Sequence, residues 1–125
     1  MKKIIIADDS STSRMFIKRC FEIAGWRDAD FAEAADGQEA LVLVKDSGNV
    51  DLLVTDLNMP NMDGEELLDA VKGDASLSGI PVLVITSAGN PAKEVELMAK
   101  GALAILNKPI SPANLIEKLK DFTEK

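Results

Sequence analysis

From end to end the chain alternates between short, mostly β-branched or apolar runs and longer segments with helical spacing. The runs are Ile4 to Ala7, Asp30 to Ala34, Asp51 to Asp56, Pro81 to Thr86 and Ala104 to Asn107. Apolar stretches this short, bounded by polar and turn-forming residues, predict strands buried on both faces. The second run is more polar and predicts a weaker strand. After the first, Ser10 or Ser11 can cap a helix in which Phe16, Cys20, Ile23 and Ala24 recur at helical spacing, with Gly25 closing it. Asp36 starts a second helix through Ala40, Leu41 and Val44 that ends near Ser47-Gly48, and the loop NMPNMDG leads to a third over Glu65 to Lys72. Pro91 suits the first turn of a fourth, which carries Val95, Leu97 and Met98 and stops at Gly101. Ser111-Pro112 opens the last, with Leu115, Ile116 and Leu119. Strand and helix in strict alternation select right-handed βαβ units, and therefore an α/β fold whose parallel sheet is covered on both faces.

Composition narrows what such a fold can do. A length of 125 residues suits one core, and a net charge of −7 spread over both halves disfavours nucleic acid and anionic membrane as partners. The chain has no histidine, which excludes a His-type zinc site, a Ser-His dyad and a phosphohistidine of its own. Cys20 is the one cysteine; it falls in an apolar helical pattern and is expected to be a buried, inert thiol. Two lysines and a three-residue isoleucine run at the N-terminus make neither a signal peptide nor a membrane span, so a cytoplasmic protein is expected.

In an open parallel sheet, ligands bind beyond the carboxyl ends of the strands, where the strand order reverses. The residues at those ends are Asp8 and Asp9 after the first run, Asp56 at the end of the third, Thr86 at the end of the fourth and Lys108 after the fifth. Each has a plainer reading, as a polar loop, a helix cap or a solvated lysine. Their coincidence at the same end of four strands is what points to a site. Adjacent carboxylates oppose each other's ionisation unless a cation lies between them. Oxygen donors with room for water favour Mg²⁺, or Mn²⁺, over a caged Ca²⁺. Asp56 beside such an ion can act as a nucleophile toward a phosphoryl group and form an acyl phosphate, with Lys108 and Thr86 on the transferred oxygens.

These stretches, DD after the first strand, TDLNMPNMDG around the third, IPVLVITSA at the fourth and NKPI at the fifth, resemble the response-regulator receiver family, and most closely its stand-alone, CheY-like members. The resemblance covers the whole chain. It implies a flavodoxin-like, doubly wound five-stranded sheet of order 2-1-3-4-5 with five helices. It implies too that residues 1–125 are a single receiver domain with no output domain. By the same resemblance Asp56 is the phosphoacceptor, Asp8 and Asp9 the Mg²⁺-binding pair, and Asn58 the residue whose backbone carbonyl completes the metal site. Thr86 is the switch hydroxyl, Lys108 the lysine that pairs with the phosphoryl group, and Lys108-Pro109 a peptide bond expected to be cis. Gly64 is expected to serve backbone freedom at a helix entry, and Ser87 to leave room beside Asp56. Asn58 and Ala88 border the path of the hydrolytic water.

The implied role is signalling rather than enzymatic: a histidine kinase phosphorylates Asp56, the receiver promotes its own modification and dephosphorylation, and a changed surface docks a downstream protein. The family's usual docking face, helix four, strand five and helix five, would here include Lys93, Lys100, Ile105 and Lys118, with Glu94, Glu96 and Glu117 nearby. No nucleic acid or membrane insertion is expected. Chemotaxis, phosphorelay and developmental signalling are candidate pathways between which the residues do not choose. One place departs from the family: three residues before the lysine, where an aromatic side chain usually flips inward, the chain has Ile105. Isoleucine is stiff at its first torsion, so coupling is expected through backbone shifts after strand four. Trp26, at the far end of the first helix, is not expected to report on the site. Other readings of the same topology are a haloacid-dehalogenase-like phosphatase, which requires two aspartates separated by one residue, and a flavin carrier, which requires a glycine in the first loop. A phosphorylation-silent scaffold is a further alternative, usually marked by a lost aspartate or lysine.

Overall fold

The computed structural model describes residues 2–87 and 90–123. Its strands are β1 (Lys3–Ala7), β2 (Asp30–Ala34), β3 (Leu52–Asp56), β4 (Val82–Thr86) and β5 (Ala104–Asn107). The helices are α1 (Ser11–Ile23), α2 (Gly37–Ser47), α3 (Gly64–Lys72), α4 (Pro91–Ala99) and α5 (Pro112–Thr123). All four strand pairings are parallel, in the order β2-β1-β3-β4-β5, as expected.

Side-chain alternation along each strand sorts the core into two layers. Ile5 and Ala7 of β1, Leu53 of β3 and Val82 and Val84 of β4 pack with Ala40 and Val44 of α2, Leu67, Leu68 and Val71 of α3, and Leu97 of α4. Ile4, Ile6, Leu52, Val54, Leu83 and Ile85 face the other way, onto Ile17, Cys20 and Phe21 of α1 and Leu115 and Leu119 of α5. Cys20 is buried, as expected. Buried on both faces, the central strands tolerate an almost unbroken apolar run.

The helices begin and end where short polar side chains and glycines direct them. Ser10, Asp36, Asp63 and Asn90 each cap a helix by accepting a backbone N–H. Asp63 and Glu66 form a reciprocal capping box. Gly25, Gly48 and Gly101 adopt positive φ just past α1, α2 and α4.

The inward stripes differ from expectation in three helices. In α1 the buried residues are Ile17, Cys20 and Phe21, while Phe16 and Ile23 are half-exposed. A helix laid on a flat sheet buries one stripe, and Ile17, Cys20 and Phe21 at i, i+3 and i+4 define it. Phe16 stands about 100° off that stripe. By the same geometry Leu97 is buried while Val95 and Met98 are exposed, and Leu115 and Leu119 are buried while Ile116 is not. Trp26 packs edge-on against Phe21 and lines a cavity with Lys2, Asp28 and Asp51 at the amino end of the sheet, away from the strand ends that carry the acids. Among the described residues no helix is long and apolar enough to cross a membrane.

Candidate functional site

Register places the acids side by side. Ala7 of β1 pairs with Thr55 of β3, so Asp8 and Asp56 are the next residues on neighbouring strands. Asp56 is level with Ile85 of β4, and Thr86 with Asn107 of β5, one residue before Lys108. The site therefore lies over the β1/β3 boundary, where the strand order reverses.

Lys108 Nζ joins the two strands, donating to Asp8 Oδ2 at 2.9 Å and Asp56 Oδ2 at 3.3 Å. Asp8 is 1 % exposed, and its carboxylate also accepts from the Ser13 hydroxyl at 2.6 Å and the Ser10 N–H at 2.9 Å. The Arg14 guanidinium donates to the Asp8 carbonyl at 2.6 Å while pairing with Glu33. Asp56 is nearly as buried, at 8 %, and its Oδ1 accepts from the Leu57 N–H at 2.7 Å. Thr86 is fully buried, and its carbonyl accepts the Lys108 N–H at 2.9 Å. The Lys108-Pro109 bond is cis, as expected. Asp9 and Asn58 are exposed at the mouth.

The two buried carboxyls respond oppositely to this setting. Burial works to raise the pKa of Asp8, but hydrogen bonds from Ser13, Lys108 and Ser10 outweigh it and hold the group below its ordinary value. Burial raises that of Asp56, the charge on Asp8 adds to the effect, and Lys108 and the Leu57 N–H only partly offset it. Desolvation pulls the Lys108 ammonium down, yet the two aspartates hold it above its usual value. Two buried carboxylates thus share one ammonium.

One oxygen from each of Asp8, Asp9 and Asp56 falls in a cluster spanning no more than 4.8 Å. An all-oxygen donor set with excess negative charge fits a hard divalent cation. The same cation would relieve the repulsion that disfavours the Asp56 anion.

Gly64 has a different reason from the one expected. Its φ is not positive. A Cβ there would instead run into the Asp56 carbonyl oxygen and lie 2.9 Å from Leu57 Cα. The Gly64 N–H donates to the Leu57 carbonyl at 2.9 Å, so α3 starts directly on the strand that carries Asp56. Ser13 and Arg14 were not singled out by the sequence; their signal was a hydroxyl and a guanidinium one turn into the helix that follows Asp8. Ser87 is exposed after β4, and Ala88 lies outside the described residues.

Part of the expected docking face is already engaged. Lys93 and Lys100 reach across to α3, with Lys93 Nζ at 2.7 Å and Lys100 Nζ at 3.2 Å from the Glu65 carboxylate. Ile105, expected on that face, is 8 % exposed and belongs to the core, because its side chain falls on the inward side of β5. Among the described residues, exposed apolar side chains on or beside these elements include Val95, Met98 and Leu103, with Ile116 on α5. Glu94, Glu117 and Lys118 line a groove beside them.

The model of the response regulator receiver domain family matches residues 4–120. The chemotaxis protein CheY of Pseudomonas aeruginosa is 40 % identical over 123 residues, covering 98 % of this chain and 97 % of that protein. CheY-3 of Vibrio cholerae is 37 % identical over 98 % of this chain and 92 % of its own length. Among solved structures, CheY4 of Vibrio cholerae superposes with a TM-score of 0.83 at 33 % identity, covering 97 % of this chain and 98 % of that one. The CheX-CheY-BeF3-Mg²⁺ complex from Borrelia burgdorferi gives 0.87 at 25 % identity, covering 99 % and 90 %. With the family model over most of its length, these relatives and the shared sheet order, the chain belongs to the response regulator receiver domain family, among its CheY-like signalling members.

Proposed function

We propose that this receiver is switched by phosphorylation of Asp56, with a histidine-phosphorylated kinase as donor. The observation that carries the reading is the meeting of Asp8, Asp56 and Lys108 from three strand ends, with Lys108 Nζ bridging the two carboxylates. In the transfer, an Asp56 carboxylate oxygen attacks phosphorus and the P–N bond to the donor imidazole breaks. The nitrogen keeps the bonding pair and takes up a proton. Lys108 is placed to exchange a carboxylate oxygen for a phosphoryl oxygen, and the Thr86 hydroxyl to approach another. Asp8, Asp9, Asp56 and the backbone carbonyl of Asn58 would hold Mg²⁺ or Mn²⁺. When bound, the ion neutralises charge on the phosphoryl oxygens. Hydrolysis reverses the switch: water attacks phosphorus, and Asp56 leaves as the free carboxylate with release of inorganic phosphate.

Residues 1–125 are read as one receiver unit acting in the cytoplasm through a protein target rather than through nucleic acid or membrane. The target docks at the α4/β5/α5 face, where Val95, Met98 and Leu103 are exposed. That the Borrelia burgdorferi relative is known in a complex with CheX and Mg²⁺ supports both a protein partner and the cation. The relatives' names support chemotaxis as the pathway. Incubation with acetyl phosphate and Mg²⁺, borohydride reduction of the acyl phosphate and peptide mapping test the assignment. Modification is expected at Asp56 alone; a label on a serine, threonine or another aspartate overturns it.

A further inference from the structure

The loop that leaves Asp56 for α3 is tied down at a point remote from the acids. Met62 N–H donates back to the Pro60 carbonyl at 2.7 Å, closing a three-residue turn at Asn61. Asn61 has φ of +66°, the only positive φ of a non-glycine residue among those described. That backbone region is disfavoured for a residue with a side chain, although asparagine tolerates it better than most. What holds it there comes from the start of α2. Asn61 Nδ2 donates to Asp36 Oδ2 at 2.7 Å, and the Gly37 N–H donates to the Met62 carbonyl at 2.9 Å. Gly37 is needed for this approach, since a Cβ there would strike the Met62 carbonyl oxygen and lie 2.8 Å from Met62 Cγ.

Asp36 therefore has two tasks. Its Oδ1 caps α2 by accepting from the Glu39 N–H at 2.8 Å, and its Oδ2 grips the loop tip. It is 8 % exposed and its bond to Asn61 is part-buried, with Asn61 on the solvent side. A cap needs only one oxygen. The second fixes a segment whose far end is closed by the Gly64 N–H on the Leu57 carbonyl. Between these two anchors lies Asn58, two residues past Asp56.

We propose that Asp36 is a positioning residue for the cation site: through Asn61 it clamps the β3–α3 loop, and so fixes where the Asn58 backbone carbonyl stands relative to Asp8, Asp9 and Asp56. The inference rests on the reading of that cluster as a Mg²⁺ site. Outer partners that orient ligands in this way typically tune metal affinity by 10–100-fold.

Calorimetric titration of the full chain with Mg²⁺ tests it in Asp36→Ser, Asn61→Gly and the double variant, with Asp9→Asn as a control. Serine keeps a capping oxygen for the Glu39 N–H and lacks the second one for Asn61; glycine accepts the positive φ and removes the side-chain bond. Both single variants are expected to weaken Mg²⁺ binding by about tenfold. The double variant is expected to be no weaker than the worse single one, because both remove the same tie. Thermal unfolding is followed alongside. A lower melting temperature with the wild-type Mg²⁺ affinity in both single variants means Asp36 and Asn61 serve stability alone, and overturns the proposal. Absence of Mg²⁺ binding by the wild-type chain overturns the cation-site reading and this one with it; loss in Asp9→Asn but not in the Asp36 and Asn61 variants overturns this one only.

Discussion

At Gly64 the lack of a side chain lets α3 begin against the backbone of Asp56. Gly64→Ala is expected to cost roughly 1–3 kcal/mol through overpacking, and to slow acetyl phosphate labelling because the displaced atoms belong to Asp56 and Leu57. Gly48→Ala is the comparison: it has φ of +68° but nothing within 4 Å of the added methyl, so it should cost about 1 kcal/mol and leave labelling unchanged. Denaturant midpoints and labelling rates measured together separate the two, and wild-type labelling in Gly64→Ala contradicts the account. Asp8, Asp9, Asp56 and Lys108 were legible in the sequence because each falls at a strand end and the topology aligns strand ends. Ser13, Arg14 and Asn61 were not. Their side chains reach the site or its loop from a helix or a turn, and that reach depends on helix placement rather than on chain position. The reason for Gly64 was hidden in the same way, being a contact between elements.

Between α3 and α4 the charges expected on an open docking face instead form a bridge. Glu65 accepts from Lys93 and Lys100, and Lys100 also pairs with Asp69 at 3.0 Å. Hydrogen bonds with Lys93 first, then Glu96 and Lys100, hold the Glu65 carboxyl down to about 2, from an ordinary 4.5. A depressed carboxyl pKa contributes stability that is fully present above the unfolded value and is lost as pH falls through the folded one. Glu65→Gln should therefore be less stable than wild type near neutrality, and the gap should close between about pH 5 and pH 2. The effect should shrink with added salt, since the pairs are partly solvated. Urea midpoints across that range check it; a gap that widens toward low pH contradicts the sign. The sequence showed where these helices begin and end, through the NMPNMDG loop before α3 and through Pro91 and Gly101 at the two ends of α4. It did not show which stripe each turns inward, because α1, α4 and α5 carry more apolar residues than one stripe can hold. Packing on the sheet chose Ile17 over Phe16 and Leu97 over Met98.

Across the whole molecule the site is a product of complete folding. Asp8 and Lys108 are 100 residues apart in the chain, and Asp56 lies 52 from Lys108. No fragment holding only one of these strand ends contains the site. A ligand that binds only the assembled site must raise global stability by mass action, about 2.7 kcal/mol at one hundred times its dissociation constant. Mg²⁺ should accordingly raise the melting temperature of wild type and not of Asp9→Asn; an equal rise in both would assign the effect to non-specific ion binding. The parallel sheet, its order and the position of the crevice were legible from alternation and resemblance, since few topologies satisfy both. The most direct measurement is intact-protein mass after brief exposure to acetyl phosphate, with and without Mg²⁺, on wild type and Asp56→Asn. A gain of a single phosphoryl group that needs Mg²⁺ and disappears in the variant is the predicted result. No gain in the wild type, or a gain that persists in Asp56→Asn, contradicts the phosphoryl-transfer account.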